Sequence, residues 1–509
     1  MPVRAYDWIA HHARNSGSDV ATVDLHEKRR LTYREFDRRI ARLAGWLRAA
    51  GVGRGDRAAI LAQNCTDHFE LQFACGRLGA IFVPLNWRLT VPELTYIVAD
   101  AAPRVLIHDH EFSETARALL PAVNGMRLLA RGGGASDYER ALAGAEPLAT
   151  PEAVTHDDVS TIMYTSGTTG QPKGAMITHG MTFWNVVNLG GPAEVNYASV
   201  FLAVLPLFHT GGLNCYSNPV FHAGGQVLVP RVFDPGEALR TFADPAVGLT
   251  HFFGVPAHYQ FMLQHPDFGT TDLSRLRVAG VGGAPMPVPL LEAWLARGVA
   301  LIQGYGMTET SPGVLCLDRR DAARKIGSAG KPLLHTETRI VGDDGQDVPQ
   351  GGMGELWVRG PNITPGYWNK PEANRSSFTD GWLHTGDAAR QDDEGFYYIV
   401  DRTRDMYISG GENVYPAEVE DVLYGLAAIA EAAVIAEPDA TWGETGLAVV
   451  VTRSGHALTE AQVIAHCRER LARFKCPARV VFIDALPRNA TGKVHKPTLR
   501  AGFAAKDSG

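Results

Sequence analysis

Apolar residues recur at helical spacing early in the chain. Phe36, Ile40, Leu43 and Leu47 fall on one face of a helix with 3.6 residues per turn. Thr32 and Glu35 stand at capping-box spacing just before them, and Gly51 stands where the helix must stop. Residues 57–62 then read as a strand, the stretch after Thr66 as a helix, and 81–85 as a second strand. Apolar strands separated by amphipathic helices build a parallel sheet covered by helices. The same pattern returns at 227–230, 250–255 and 278–281. Gly132-Gly133-Gly134 reads as a loop, without the strand and helix that would give it a phosphate-binding context.

The last hundred residues have a different texture. Pro416 is placed to open a helix over 418–423. Residues 432–436 and 447–452 read as strands. Thr459 and Gln462 form a second capping-box pattern for a helix running towards Leu471, and 479–483 reads as a strand. The strand-like 396–400 ends in the charged segment 401–405, where the pattern changes. The fold class expected is α/β, with a large N-terminal domain over residues 1–403 and a small α+β C-terminal domain over 404–509.

Composition narrows the function classes. A chain of 509 residues can bury a large core without staples. A formal net charge of −7 with no block of one sign gives no electrostatic footprint for nucleic acid. The six cysteines contain no CxxC pair, so reduced thiols are expected rather than a disulfide framework or a zinc site. No run of about 18 apolar residues exists, so no membrane insertion is expected. Residues 1–14 lack the apolar centre of a signal peptide, and the expected location is cytoplasmic.

The chemistry concentrates in residues 164–174, Tyr-Thr-Ser-Gly-Thr-Thr-Gly-Gln-Pro-Lys-Gly. Gly167 and Gly170 allow backbone N–H groups to approach an anion. Thr165, Ser166, Thr168 and Thr169 add hydroxyl donors, and Lys173 adds a cation. A polyphosphate needs that combination. GxxxxGK[ST] cannot be placed on these spacings, so the segment is no P-loop.

This segment resembles the signature loop of the adenylate-forming superfamily, which includes acyl-CoA synthetases, peptide adenylation domains and beetle luciferases. The resemblance extends from about residue 10 to about residue 500, with further motifs following in order. It implies parallel-rich sheets plus a β subdomain in the large domain, and a mobile small domain. Gly304-Tyr305-Gly306-Met307-Thr308-Glu309 resembles the second nucleotide motif. A tyrosine ring can stack on adenine; Thr308 would donate to the α-phosphate, and Glu309 would be the Mg²⁺ carboxylate. Gly282-Gly283-Ala284-Pro285 matches the segment against the other adenine face. His384-Thr385-Gly386-Asp387 resembles the ribose motif, with Asp387 accepting from the hydroxyls and Arg402 on the ribose or phosphate side.

Residues 487–493, Pro-Arg-Asn-Ala-Thr-Gly-Lys, resemble the C-terminal lysine loop, and Lys493 would stabilise the charge that develops during adenylation. Ser409-Gly410-Gly411-Glu412 matches the segment that moves in for coenzyme A, with Arg404 at the pivot where many relatives carry Asp or Lys. The implied substrates are a carboxylic acid, ATP and coenzyme A. The acyl pocket would be lined by Phe208, Gly211, Gly212, Phe253, Val281 and Gly282. These residues hold no acid for a substrate amine, while an aliphatic chain and an aryl or hydroxycinnamic acid fit them equally well. The Gly211-Gly212 pair is expected to leave room for a bulky group. His209 resembles a residue that positions the substrate carboxylate, with a structural histidine as the alternative. The resemblance also brings a homodimer and a lysine acetyltransferase acting at Lys493 into view. Two other outcomes stay open: transfer to a carrier-protein phosphopantetheine after the same first step, and a silent nucleotide sensor.

Overall fold

A computed structural model describes residues 2–165, 171–284, 286–342, 344–402, 405–409, 412–439, 442–489 and 492–504. The chain has a mixed α/β fold of a large N-terminal and a small C-terminal domain. Its described strands form four sheets.

In the first, of nine strands, Val20–Asp24, Gln226–Val229, Val200–Leu202, His251–Gly254, Val278–Gly282 and Leu301–Gly306 run parallel as neighbours. Antiparallel strands close both edges. The second sheet has six strands. Arg127–Arg131, Val105–Asp109, Arg57–Leu61, Ile81–Pro84 and Val159–Thr165 are parallel, and Lys173–Thr178 returns antiparallel to the last of them. The parallel strands expected from the sequence therefore divide between two sheets. One cluster of buried side chains joins them: Ile60 and Phe82 from one sheet, Phe201 and Val227 from the other, and Phe36, Leu43 and Phe69 from helices.

The helix Tyr33–Ala49 begins at Thr32 in a capping box. The Glu35 N–H donates to Thr32 Oγ1 at 3.3 Å and the Thr32 N–H donates back to Glu35 Oε2 at 2.8 Å. Such a cap is worth roughly 1 kcal/mol. The 132–134 glycines do lie between a strand, Arg127–Arg131, and a helix, Asp137–Gly144. That strand is hard to read because arginines hold both its ends. Arg131 is 1 % exposed and forms ion pairs with Asp67, Asp109 and Glu27. Arginine at a core position is tolerated because all three carboxylates are brought to it by other elements.

The third sheet is antiparallel, built from Glu337–Val341, Met353–Arg359, Phe378–Thr379, Trp382–Gln391 and Tyr397–Arg402. The fourth begins five residues after Arg402 with Tyr407–Ser409, and its long hairpin pairs Ile429–Asp439 with Gly443–Thr452. Strand Arg479–Phe482 adds to it in parallel. Helices Pro416–Tyr424 and Glu460–Arg468 share a core with this sheet through Val419, Leu423, Val463 and Cys467. The second of them stops at Arg468, short of Leu471, because Glu469 already takes the cap position. No helix among the described residues is long and apolar enough to cross a membrane.

Candidate active site

The site forms at the carboxyl ends of neighbouring parallel strands, the usual ligand-binding edge of an open α/β sheet. Strand Val278–Gly282 and strand Leu301–Gly306 pair so that Gly282 stands opposite Gly304. Neither has a side chain to cover that edge. A Cβ on Gly282 would stand 2.8 Å from the Gly304 carbonyl, so only glycine fits there. Gly283 follows with φ +81, a left-handed backbone that favours glycine, and Ala284 is half-buried beside it.

Beyond Gly304 the chain places Tyr305 and Gly306 at the strand end and Met307 before the turn Thr308–Thr310. The Tyr305 hydroxyl donates to Asp387 Oδ2 at 2.5 Å, tying the nine-stranded sheet to the antiparallel sheet. Asp387 is itself held in a turn. Its N–H donates to Thr385 Oγ1 at 3.1 Å, the Gly386 N–H donates to Glu355 Oε1 at 2.8 Å, and the Thr385 hydroxyl donates to the Leu356 carbonyl at 2.6 Å. Two strands thus bring a flat ring and a carboxylate together, with Asp387 opposite Arg402 in the sheet register. The Arg402 side chain lies outside what the structure describes.

Thr165 and Lys173 close the ends of the Gly/Thr-rich loop as a paired position in an antiparallel hairpin. The loop therefore joins two strands, unlike a strand-to-helix phosphate loop. Ser166, Gly167, Thr168, Thr169 and Gly170 lie outside the described residues, as does Pro285. Lys173 Nζ stands 5.4 Å from the centroid of the Tyr367 ring. The Tyr367 hydroxyl donates to Glu309 Oε1 at 2.8 Å. Thr308 and Glu309 are buried in their turn, 4 % and 5 % exposed. Among the described residues no group of three or more His, Cys, Asp and Glu side chains could hold a metal ion.

Lys493 arrives from the C-terminal domain. Residues 488–489 pair back with 492–494: the Asn489 N–H donates to the Lys493 carbonyl at 2.8 Å and the Lys493 N–H to Asn489 Oδ1 at 3.0 Å. Arg488 braces the turn by donating to the Gly492 carbonyl at 2.7 Å and to Glu431 Oε2 at 2.8 Å. The turn docks on the edge of the large domain. Lys493 Cε and Nζ lie 3.2 and 3.7 Å from where a Cβ on Gly283 would stand. The same ammonium is felt by His209, whose pKa is pushed down to about 3, first by burial and then by the Lys493 charge. His209 Nδ1 accepts the Gly211 N–H at 3.1 Å, so the neutral ring carries its proton on Nε2. Three segments far apart in the chain are thus brought near one another, with Lys493 against Gly283 and within electrostatic range of His209.

The residues expected to line an acyl pocket divide. Phe208 and Val281 are buried and Phe253 is half-buried. Phe253 packs on Tyr216 with ring centroids 5.2 Å apart. A Cβ on Gly280 would meet Phe253 at 2.6 Å and the Tyr216 hydroxyl at 2.7 Å, so the missing side chain there is already filled by those rings. Gly211 and Gly212 do not leave room as the sequence reading expected. They begin a π-helical turn, Gly211–Cys215, that folds onto the segment before it. A Cβ on Gly212 would stand 2.3 Å from the Pro206 carbonyl oxygen and 2.6 Å from that of Leu205. Its smallness is consumed by backbone packing.

In the segment expected to meet coenzyme A, Ser409 is buried and pairs with Glu412 and Gly443 in the C-terminal sheet. Gly410, Gly411 and Arg404 lie outside the described residues, as does the Glu412 side chain. Sequence reading missed Tyr216, Glu355 and Tyr367. Only Tyr367 carried a signal, since Pro365-Gly366 marks a turn before it, but nothing local ties it to a glutamate 58 residues earlier.

Residues 9–368 match the AMP-binding enzyme family, and 418–493 match the AMP-binding enzyme C-terminal domain. Over 496 residues the chain is 46 % identical to a feruloyl-CoA synthase of an Amycolatopsis species, covering 97 % of this chain and 98 % of the relative. It is 40 % identical over 504 residues to indoleacetate–CoA ligase of Aromatoleum aromaticum, covering 98 % of each. The solved structure of o-succinylbenzoate CoA synthetase from Bacillus subtilis, with its acyl-adenylate intermediate, superposes with a TM-score of 0.87 at 33 % identity, over 98 % of both chains. The chain belongs to the AMP-binding enzymes of the adenylate-forming superfamily. Its activity is that of an AMP-forming acid–CoA ligase, with a small-molecule carboxylic acid, ATP and coenzyme A as substrates.

Proposed function

We propose that the acid is an aromatic one carried on a short chain, of the hydroxycinnamic or arylacetic kind. The relatives quoted above act on ferulate and indoleacetate by name, and both acids end in a ring. The rings of Phe253 and Tyr216 offer flat apolar surface of the matching kind.

In the first step a substrate carboxylate oxygen attacks the α-phosphorus of ATP, forming acyl-AMP and releasing pyrophosphate. Lys493 stabilises the charge shared by carboxylate and phosphate. His209, neutral with its proton on Nε2, orients the carboxylate without adding a second cation beside Lys493. The convergence of His209, Gly283 and Lys493 is the observation that carries this reading. Tyr305 and the Gly282–Gly283 edge take the adenine, Asp387 and Arg402 the ribose side, and Thr165, Lys173, Thr308 and residues 166–170 the phosphates. A Mg²⁺ ion fits this donor set: one buried carboxylate, Glu309, suits a small hard cation held mostly by phosphate oxygens. When bound it neutralises phosphate charge.

In the second step the coenzyme A sulfur attacks the acyl carbon, the bond to AMP breaks, and AMP leaves. Residues 404–509 form the unit that turns about Arg404, withdrawing Lys493 and bringing in residues 409–412. Pyrophosphate and AMP release, measured with Mg-ATP over fatty, benzoic, arylacetic and hydroxycinnamic acids with and without coenzyme A, tests the proposal. Coenzyme A-dependent AMP release greatest with the hydroxycinnamic or arylacetic acids is expected. A preference for long aliphatic acids, or pyrophosphate release indifferent to coenzyme A, would overturn it.

A further inference from the structure

Tyr367 touches two charged groups of the phosphate end at once. Its hydroxyl donates to Glu309 Oε1 at 2.8 Å, and its ring centroid lies 5.4 Å from Lys173 Nζ. Tyr367 is itself only 9 % exposed. A buried phenol spent on a carboxylate fixes the plane of that carboxylate, and a charge-assisted hydrogen bond of this kind is about twice as strong as a neutral one.

The backbone that carries the ring is held from several sides. Tyr367 bridges to Ala175, two residues past Lys173. Its N–H donates to Asn374 Oδ1 at 2.6 Å, and Asn374 Nδ2 donates back to the Tyr367 carbonyl at 3.2 Å. Gly366 makes that clamp possible, since a Cβ there would stand 2.7 Å from Asn374 Oδ1. On either side, the Trp368 N–H donates to the Gly174 carbonyl at 2.8 Å and the Thr364 N–H to the Glu309 carbonyl at 2.7 Å. The segment 364–368 is therefore stitched to the strand of the lysine and to the turn of the glutamate, with Tyr367 at their junction.

We infer that Tyr367 is a positioning residue that holds the Glu309 carboxylate and the Lys173 ammonium in register for a phosphate-bound divalent cation. The inference rests on the reading that Glu309 and Lys173 serve Mg-ATP. With Oε1 engaged by the phenol, the Glu309 carboxylate would be turned to offer a cation one oxygen in preference to both. One-oxygen contact suits Mg²⁺, which demands near-octahedral geometry. Ca²⁺ accepts more ligands and often takes both oxygens of a carboxylate. Tyr367 thus favours Mg²⁺ over Ca²⁺ as the partner of ATP.

Calorimetric titration of ATP, without acid substrate, in Mg²⁺, in Ca²⁺ and in EDTA tests this with no turnover. Tyr367→Phe keeps the ring and removes the hydroxyl. It should weaken ATP binding in Mg²⁺ by about 10-fold, with less loss in Ca²⁺ and none in EDTA. Glu309→Gln should show the Mg²⁺-specific loss too, and the double variant should bind no more weakly than Glu309→Gln alone. Asn374→Ala, which loosens the clamp and leaves ring and carboxylate intact, should give a smaller loss with the same metal dependence. Equal weakening in Mg²⁺ and EDTA, or additive losses in the double variant, would assign Tyr367 a merely structural role and overturn the inference. Metal-supported binding unaffected by Glu309→Gln would instead sink the reading of the site on which it rests.

Discussion

His209 is kept neutral by burial and by the ammonium of Lys493 beside it. His258 is likewise pushed down to about 3 by burial and the charge of Arg488, and His68 and His179 to about 4, mainly by burial. Unfolded, each returns to an ordinary value near 6.5. Below pH 6.5 the unfolded chain therefore binds protons that the folded chain refuses. The stability these residues contribute is complete above pH 6.5 and falls as pH drops towards their folded values. The slope is at most about 1.4 kcal/mol per pH unit for each. Thermal melts should show Tm nearly level from pH 7.5 to pH 6.5 and falling from there to pH 5, above the range where most carboxylates titrate, and His209→Asn should make the fall shallower. A Tm flat across that range would mean the four rings are not held neutral. The same pKa keeps His209 unprotonated throughout pH 6–8, so it adds no ionisation to the rate of acyl-AMP formation there.

At the scale of elements, the turns that deliver the site are made by close backbone approach. The π-helical turn Gly211–Cys215 lies against Leu205 and Pro206, and Gly212 has no space for a side chain. Gly212→Ala should therefore lower stability by about 1–3 kcal/mol through overpacking, seen as a lower Tm, while the preference among acids stays unchanged. Gly211→Ala is the milder change, because its Cβ would meet the tip of Leu205 at 3.0 Å, a group able to rotate away. A shift in acid preference at unchanged Tm for Gly212→Ala would contradict the packing account. The same economy of space works at the strand ends where Gly282 and Gly304 face each other and Tyr305 reaches across to Asp387.

For the whole molecule, the arrangement seen is the one in which Lys493 reaches the large domain at Gly283. A cation aimed at a charge that exists only while ATP reacts serves only the first half-reaction. Lys493→Ala is expected to slow acid-dependent pyrophosphate release by about 10² to 10³. Thioester formation from acyl-adenylate supplied ready-made, with coenzyme A, should stay within several-fold of the unaltered enzyme. Equal loss in both assays would mean that the small domain does not change its role between steps. The antiparallel sheet ending at Arg402 and the separate sheet starting at Tyr407 leave four residues between them.

Much was legible along the chain because it is local. The capping boxes at Thr32 and Thr459, the apolar face of Tyr33–Ala49 and the strands 57–61 and 278–282 follow from side-chain period and backbone chemistry. The order and wording of the motifs were enough to identify the superfamily. Three kinds of feature were not legible, each because it depends on residues distant in sequence. The division of parallel strands between two sheets depends on which edges find each other. The buried Arg131 reads as surface until Asp67, Asp109 and Glu27 are brought to it. Gly212 and Tyr367 show their tasks only through contacts with Pro206 and Glu309. The sequence by itself determined which chemistry the chain holds, since residue types and local spacing suffice for that. Tertiary structure alone decided what that chemistry faces: it set Lys493 beside Gly283 and His209, because a long-range contact is a property of packed surfaces and leaves no local pattern.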